Sequence, residues 1–482
     1  MFDVRPILYI VGWLLLVLAG AMLIPMLADL AVGEDDWKVF AVSSALTLFF
    51  GVLLVLTNRQ AHIVLTLRQT FVLTTLVWIV ICLFSSLPFM LSSLRLGFAA
   101  AFFEAMSGLT TTGASVISDV EVLPPGILLW RALLVWLGGI GIVGLGIVIL
   151  PFLRVGGMQL FRSESSDKSD KIAPRAADLA LAFGWVYIAL TVACATAFAL
   201  SGMPVFDAVC HAMSALGTGG FSTRNLSIGA YESAAVEWWA ILFMLLGSLP
   251  FVRFISMAQG HVGALWHDSQ VRIYLLVLLA ATLPLALHVW AAGFHDAHDA
   301  LRHSAFTVVS IVTTTGFAST DYLLWGPGPA ALILLLTLIG GCTGSTSGGI
   351  KIFRFEVLWL SLHRQITRLF SPNRVVPLAY NGKAVDGEVI TAVMGFVFLY
   401  MALIFLIAVG LGMTGLDLVT SVSGAASALG NVGPGLSPLI GPVGNYAPLQ
   451  DEAMWLMSLG MLLGRLELFT VLVLLTPAFW RT

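Results

Sequence analysis

Met106-Ser107-Gly108-Leu109-Thr110-Thr111-Thr112-Gly113 is the first of four related stretches in this chain of 482 residues. The others read Met213-Ser214-Ala215-Leu216-Gly217-Thr218-Gly219-Gly220, Val309-Ser310-Ile311-Val312-Thr313-Thr314-Thr315-Gly316 and Ala426-Ser427-Ala428-Leu429-Gly430-Asn431-Val432-Gly433. Each has a Ser three residues before a Thr or Gly and ends on a Gly. The closing glycines recur about every hundred residues, a long and loose internal repeat. Every stretch interrupts apolar sequence. Four helix–loop–helix units with such loops can close a four-fold pore, with backbone carbonyls replacing the water of a bare cation.

Composition agrees with a membrane setting. The chain is 59% hydrophobic and 10% charged, against about 25% charged in soluble proteins. A net charge of −3 offers no basic face to nucleic acid. The four cysteines, Cys82, Cys194, Cys210 and Cys342, form no CxxC pair, so they support neither a disulfide framework nor a zinc site. The first apolar run lacks a small-residue cleavage site and reads as a retained span.

A spanning helix needs about 20 mostly apolar residues. Candidates are 7–30, 38–57, 70–92, 126–153, 176–201, 234–258, 271–293, 328–368, 388–412 and 452–479. Shorter helical runs lead into each Thr/Gly hairpin, and their length suits re-entrant pore helices. Non-helical backbone survives at membrane depth only when buried or lining a wet cavity, which places the hairpins at the centre of a bundle. The expected fold is therefore an all-α integral membrane protein. It has four pseudo-symmetric helix–pore helix–filter–helix repeats around a central pore, over 67–160, 161–262, 263–372 and 373–482. A two-helix hairpin, 1–66, precedes them.

Charge placement orients the bundle. Arg59 and Arg68, the run Arg154, Arg162, Lys168, Lys171 and Arg175, the pair Arg253 and Arg272, and Lys351, Arg354, Arg364, Arg368, Arg374 and Lys383 fall in alternate connections, with Arg5 and Arg481 at the termini. The positive-inside rule makes these cytoplasmic, with both termini inside. The opposite connections carry Glu34, Asp35, Asp36, Asp119, Glu121, Glu232, Glu237, Asp296, Asp299, Asp321, Asp451 and Glu452, an acidic vestibule expected to concentrate cations.

The filter atoms are expected to be carbonyls and Thr hydroxyls of Thr110, Thr111, Thr112 and Gly113; Gly217, Thr218, Gly219 and Gly220; Thr313, Thr314, Thr315 and Gly316; and Gly430, Asn431, Val432 and Gly433. No carboxylate lies within the hairpins, and neutral oxygen dipoles suit K+ better than a divalent ion. A second constellation, Gly340, Gly341, Cys342, Thr343, Gly344, Ser345, Thr346, Ser347, Gly348 and Gly349, must break the eighth span. It is no phosphate loop, because the Gly-Lys-Ser/Thr ending is missing and an apolar helix precedes it. Arg465, in Leu463-Gly464-Arg465-Leu466-Glu467, lies about 20 Å along the last span, near the depth of that break. An intramembrane Arg faces a cavity or a partner; it is expected in a gate, the other reading being a structural ion pair with Glu467. His295, His298 and His303 lack the companions of a metal site.

At these residues the chain resembles the TrkH/KtrB superfamily of potassium uptake subunits, its TrkH branch in particular. The resemblance is carried by Gly-Gly-Ile-Gly-Ile-Val from Gly138, Met158-Gln159-Leu160, the Gly340 to Arg354 segment, Asn431-Val432-Gly433-Pro434-Gly435, and Leu463 to Glu467 through Thr476-Pro477-Ala478-Phe479-Trp480. It covers essentially the whole chain, and the two extra N-terminal spans point to the TrkH branch. It implies a homodimer with one pore per protomer in a bacterial inner membrane, and a cytosolic TrkA ring that carries the regulatory nucleotide. No covalently bound cofactor is implied; K+ is the transported ion. The Gly340 segment resembles the family's gating loop, Arg465 matches its pore arginine, and Gly113 stands where Na+-favouring relatives carry Ser. Gly217 and Gly430 depart from the Thr of the other repeats. The competing function is an ion-coupled (H+ or Na+) K+ symporter working by alternating access, which also uses broken helices. All four hairpins entering from one side favours the pore. No Ser/His, Asp/Asp or zinc-ligand arrangement in the spans supports an enzyme.

Overall fold

A computed structural model describes residues 2–59, 65–148, 172–375, 377–381 and 383–481. The basic run from Arg154 to Lys171, the Met158-Gln159-Leu160 motif and the boundary at 160 lie outside the described residues.

Arg5–Val32 and Trp37–Thr57 form an antiparallel hairpin. Gly12 and Gly51 let the two backbones meet: a Cβ on Gly12 would lie 3.0 Å from the Gly51 carbonyl oxygen. Such small-residue contacts hold helices together where water supplies no driving force. Ser44 adds a hydrogen bond to the Ala19 carbonyl at 2.8 Å.

Each of the four units that follow has an outer span, a short pore helix and an inner span. The outer spans are Leu67–Leu91, Ile172–Leu200, Ser269–Ala291 and Gly387–Met413. The first starts at a capping box, Thr66 and Gln69 satisfying each other's backbone N–H groups. The pore helices are Phe98–Leu109, Val205–Gly217, Ala297–Val312 and Leu418–Gly430. The third and fourth begin at aspartate caps: Asp296 accepts from the Asp299 N–H, and Asp417 from those of Val419 and Thr420. Outward faces stay apolar and exposed, as at Leu276, Phe398 and Leu406, the pattern of a lipid-facing surface. Among the described residues, β structure is a two-stranded ribbon, Ala379–Tyr380 with Lys383–Ala384, and one isolated bridge.

Of the ten spans expected, the break in the eighth is present, and two further inner spans expected as continuous are bent. Seven described helices are long and apolar enough to cross a bilayer, or nine if two bent pairs count as spans. The first inner span, Pro125–Val148, is one helix. The second bends by 93° between Ala234–Ser248 and Phe251–Ala258, and the fourth by 107° between Asp451–Arg465 and Phe469–Leu475. The third is split by a loop into Pro327–Thr337 and Ile352–Phe370. The cause at the second is Pro250, which starts a new helix after the extended Leu249. At the fourth, Glu467 adopts φ +60° and turns its side chain to Arg354.

Candidate functional site

All four pore helices end in the same way. The third hairpin residue donates its N–H to the hairpin serine carbonyl: Thr112 to Ser107 at 2.8 Å, Gly219 to Ser214 at 3.0 Å, Thr315 to Ser310 at 2.9 Å and Val432 to Ser427 at 3.0 Å. The residue before it donates to Gly108, Ala215, Ile311 or Ala428. This bond pair is the Schellman motif, which requires a left-handed residue after the helix. That residue is Thr111 (φ +54°), Thr218 (+52°), Thr314 (+59°) or Asn431 (+55°). Asn tolerates this conformation, whereas a β-branched Thr in it is a genuine outlier and stores strain of about 1–3 kcal/mol. The closing glycines are left-handed too, at φ +83°, +64°, +78° and +105°.

These glycines close a ring. A Cβ on Gly113 would lie 2.2 Å from the Gly219 carbonyl oxygen, on Gly220 2.0 Å from Thr315, on Gly316 2.1 Å from Val432, and on Gly433 2.6 Å from Thr112. Each loop therefore abuts the next, and the fourth abuts the first. The four loops meet in this ring through Thr112, Gly113, Gly219, Gly220, Thr315, Gly316, Val432 and Gly433. Four helix C-termini, the negative ends of their dipoles, converge on it, an arrangement that favours a cation. The ring alternates in detail. Thr110 and Thr112 pair their hydroxyls at 2.8 Å, as Thr313 and Thr315 do at 2.7 Å. In the second and fourth loops the first position is Gly because an inner span crowds it. A Cβ on Gly217 would meet Val135 at 2.7 Å, and one on Gly430 the Thr337 carbonyl at 3.0 Å.

On one side of the ring lies a cavity of ≈ 130 Å³, lined by the closing glycines Gly113, Gly220, Gly316 and Gly433 together with Arg131, Arg224 and Tyr446. Its own lining contains no carboxylate, but two of the expected vestibule residues, Asp119 and Glu121, accept from its lining residue Asn225 at 2.8 and 3.2 Å. Glu237 is not a loop residue: it sits buried in Ala234–Ser248 and pairs with Arg302 at 2.9 Å. Arg224 pairs with Asp207 at 3.2 Å. Burial raises the Tyr231 phenol well above its usual range, so it stays protonated and donates to Asp207 at 2.8 Å.

The Gly340–Gly349 segment lies on the other side of the ring and is pinned by hydrogen bonds. A parallel bridge of Ile339 with Ile350 closes its base. Cys342 and Thr346 donate backbone N–H groups to the carbonyls of Ser248 and Gly247, which the bend at Pro250 leaves free, at 3.0 and 3.2 Å. Phe251 donates back to Gly344 at 3.0 Å. Gly341 donates to the Ser347 hydroxyl at 3.0 Å, Thr343 to the Gln270 amide oxygen at 3.0 Å, and Ser345 to Cys342 at 2.6 Å. Gly348 donates to the Thr314 hydroxyl at 2.7 Å, tying the segment to the third filter loop. Gly340 and Gly348 face each other: a Cβ on Gly340 would lie 2.0 Å from the Gly348 carbonyl oxygen. Beside Gly349 (φ +66°) the chain turns into the next helix.

Arg465 donates to the Thr346 carbonyl at 2.7 Å and reaches toward the Gly138 carbonyl at 3.4 Å. Its partner is thus the loop and not Glu467. Thr346 is the hub that sequence reasoning did not single out within the segment. Its hydroxyl lies 2.9 Å from both the Leu216 and Gly247 carbonyls and accepts from Thr218 at 3.2 Å. Lys351 and Arg354, expected as cytoplasmic loop charges, are drawn inward. Lys351 donates to the Ser347 carbonyl, and the fully buried Arg354 pairs with Glu467 while lying 3.7 Å over the Phe396 ring. A cavity of ≈ 30 Å³, about one or two waters, is lined by Gly344, Gly348, Gly349, Lys351, Arg465 and Glu467 among others. His303 bonds to Ser319 at 3.0 Å, and no cluster of metal ligands occurs among the described residues.

The sequence matches the TrkH family model, described as a cation transport protein, over residues 37–481. It is 46% identical over 99% of its length to the Trk system potassium uptake protein TrkI of Halomonas elongata, covering 97% of that protein. It is 36% identical to the Trk system potassium uptake protein TrkH of Escherichia coli, with 99% of each chain covered. The crystal structure of the potassium transporter TrkH from Vibrio parahaemolyticus superimposes over all of both chains, with a TM-score of 0.92 at 36% identity.

Proposed function

The chain belongs to the TrkH family of cation transport proteins, and on that premise we propose that it takes up K+ through a gated, filter-lined pore. It is a membrane transporter, not an enzyme. The observation that carries the reading is the closed ring, in which each closing glycine abuts a carbonyl of the next loop. Such a ring offers a bare cation neutral oxygens from four sides. Beneath it, the Gly340–Gly349 segment and Arg465 act as the gate. The segment contacts the inner spans of the second and fourth repeats and the third filter loop, so shifting it requires breaking one connected set of bonds. The Arg465 charge adds an electrostatic barrier. At an effective dielectric near 20, a unit charge about 5 Å from a passing K+ costs on the order of 3 kcal/mol.

The wider assembly follows from the same reading. Both termini face the cytoplasm of an inner-membrane homodimer. The basic runs Arg154–Arg175 and Arg364–Lys383 receive a cytosolic TrkA ring that carries the controlling nucleotide. The bent second and fourth inner spans also resemble the discontinuous helices of alternating-access symporters. Flux in liposomes containing the purified protein alone separates the two. A pore moves K+ along its own gradient and the voltage, whereas dependence on an H+ or Na+ gradient overturns the pore reading.

A further inference from the structure

The strands leaving the first and second filter loops are joined by a buried ion pair. Glu104, on the first pore helix, and Arg131, on the first inner span, are 0% and 2% exposed. Arg131 Nε donates to Glu104 Oε1 at 2.8 Å. The remaining groups of the pair grip both strands. Glu104 accepts from the Val116 N–H at 2.9 Å and from the Ser115 hydroxyl at 3.0 Å. Arg131 donates to that same hydroxyl at 3.0 Å and to the Ser222 carbonyl at 2.9 Å. Its guanidinium also lies 4.1 Å over the Phe221 ring. Ser115 and Ser222 each stand two residues beyond a closing glycine, Gly113 and Gly220. Two contacts that join strands of other loop pairs are plain backbone bonds: Gly229 N–H to Ala318 carbonyl at 3.1 Å, and Tyr446 N–H to Ser115 carbonyl at 2.8 Å.

We propose that Arg131 and Glu104 form a positioning pair that fixes the spacing of the first and second filter loops and thereby sets the discrimination of K+ over Na+. The proposal rests on the reading of the ring as a K+ filter. The physical reason is stiffness. A ring discriminates against the smaller ion only while its carbonyls resist closing on it. A planar five-donor fork holding a carboxylate, a hydroxyl, a carbonyl and a ring face leaves these two strands little freedom to move together. A flexible lysine cannot reproduce that set, and a glutamine leaves the buried guanidinium charge without its counter-charge. Glu104 also neutralises a cation that lines the cavity above the filter.

The test is K+ and Na+ permeability in liposomes for the parent, Arg131→Lys, Glu104→Gln and the exposed control Glu388→Gln. Expected is a K+ over Na+ ratio about tenfold lower in both pair variants, the effect of ~1.4 kcal/mol, with the control at the parental ratio. A double variant, Glu104→Gln with Arg131→Met, keeps the low ratio, because removing both charges does not restore the fork. A parental ratio in a folded, conducting pair variant, or in the double variant, overturns the proposal. If the pair variants do not fold, Ser115→Ala removes one shared hydroxyl; a lowered ratio there supports the pair and an unchanged one overturns it. A parent that conducts but passes Na+ as readily as K+ refutes the filter reading itself, independently of the pair.

Discussion

In the ring of loops the four repeats do the same thing; directly beneath it they diverge. Every pore helix ends in a Schellman motif with a left-handed residue, and every hairpin closes on a left-handed glycine against its neighbour. In the inner spans, by contrast, the first repeat is a continuous helix, the second and fourth bend by 93° and 107°, and the third opens into a ten-residue Gly/Ser/Thr segment. Coordinating an ion on an axis rewards equivalence, since each quarter must offer the same oxygens. Blocking the axis rewards asymmetry, because one segment must fill space that the other three leave. The second repeat's bend frees the carbonyls of Gly247 and Ser248 for the loop, and the fourth repeat brings Arg465 to it. The asymmetries are therefore complementary.

The largest expected effect breaks the equivalence. Gly113→Ser forces a side chain onto a φ of +83°, against a backbone carbonyl 2.2 Å from the added Cβ. Expected is a K+ over Na+ ratio reduced about a hundredfold, or ~2.7 kcal/mol, measured from reversal potentials. A folded, conducting variant with parental selectivity removes Gly113 from the filter. The next acts on the other layer. Deleting Gly344–Gly348 takes away the wedge but leaves Arg465, so K+ flux should rise about tenfold, ~1.4 kcal/mol; a rate no higher than the parent's places the gate elsewhere. A milder change is Thr346→Val, which keeps the shape of the hub but removes its hydroxyl. Losing a hydrogen bond worth about 1 kcal/mol should raise flux several-fold. The smallest effect on permeation belongs to charge reversal at Arg364, Arg368 and Arg374, which should weaken co-purification of the cytosolic regulator and leave the ion ratio unchanged.

The two regions were not equally legible in the sequence. The filter could be read because its chemistry is local: left-handed turns and close carbonyls demand Gly, Thr and Asn at fixed places, four times over. The third repeat's loop was legible for the same reason, since its glycines cannot continue a helix. Pro250 marks the bend of the second inner span, but the sequence from Trp238 to Ile255 is apolar enough overall to read as one span. The bend after Arg465 has no such mark. Glu467 is held at φ +60° beside Arg354, which lies more than a hundred residues away in sequence. Lys351 and Arg354 were misplaced because charge counting locates a connection and not the depth of an individual side chain. The Glu104–Arg131 pair escaped because a carboxylate in an apolar pore helix carries no local signature of its partner.

The central claim, that selection and blockage reside in separate layers, is tested most directly by Arg465→Ala in liposomes, with K+ and Na+ flux measured on the same preparation. Removing the charge and its bond to Thr346 should raise the K+ rate by roughly a hundredfold at most, from ~3 kcal/mol of repulsion, while the K+ over Na+ ratio stays parental. A folded variant whose rate is unchanged, or whose ratio collapses along with a changed rate, would contradict it.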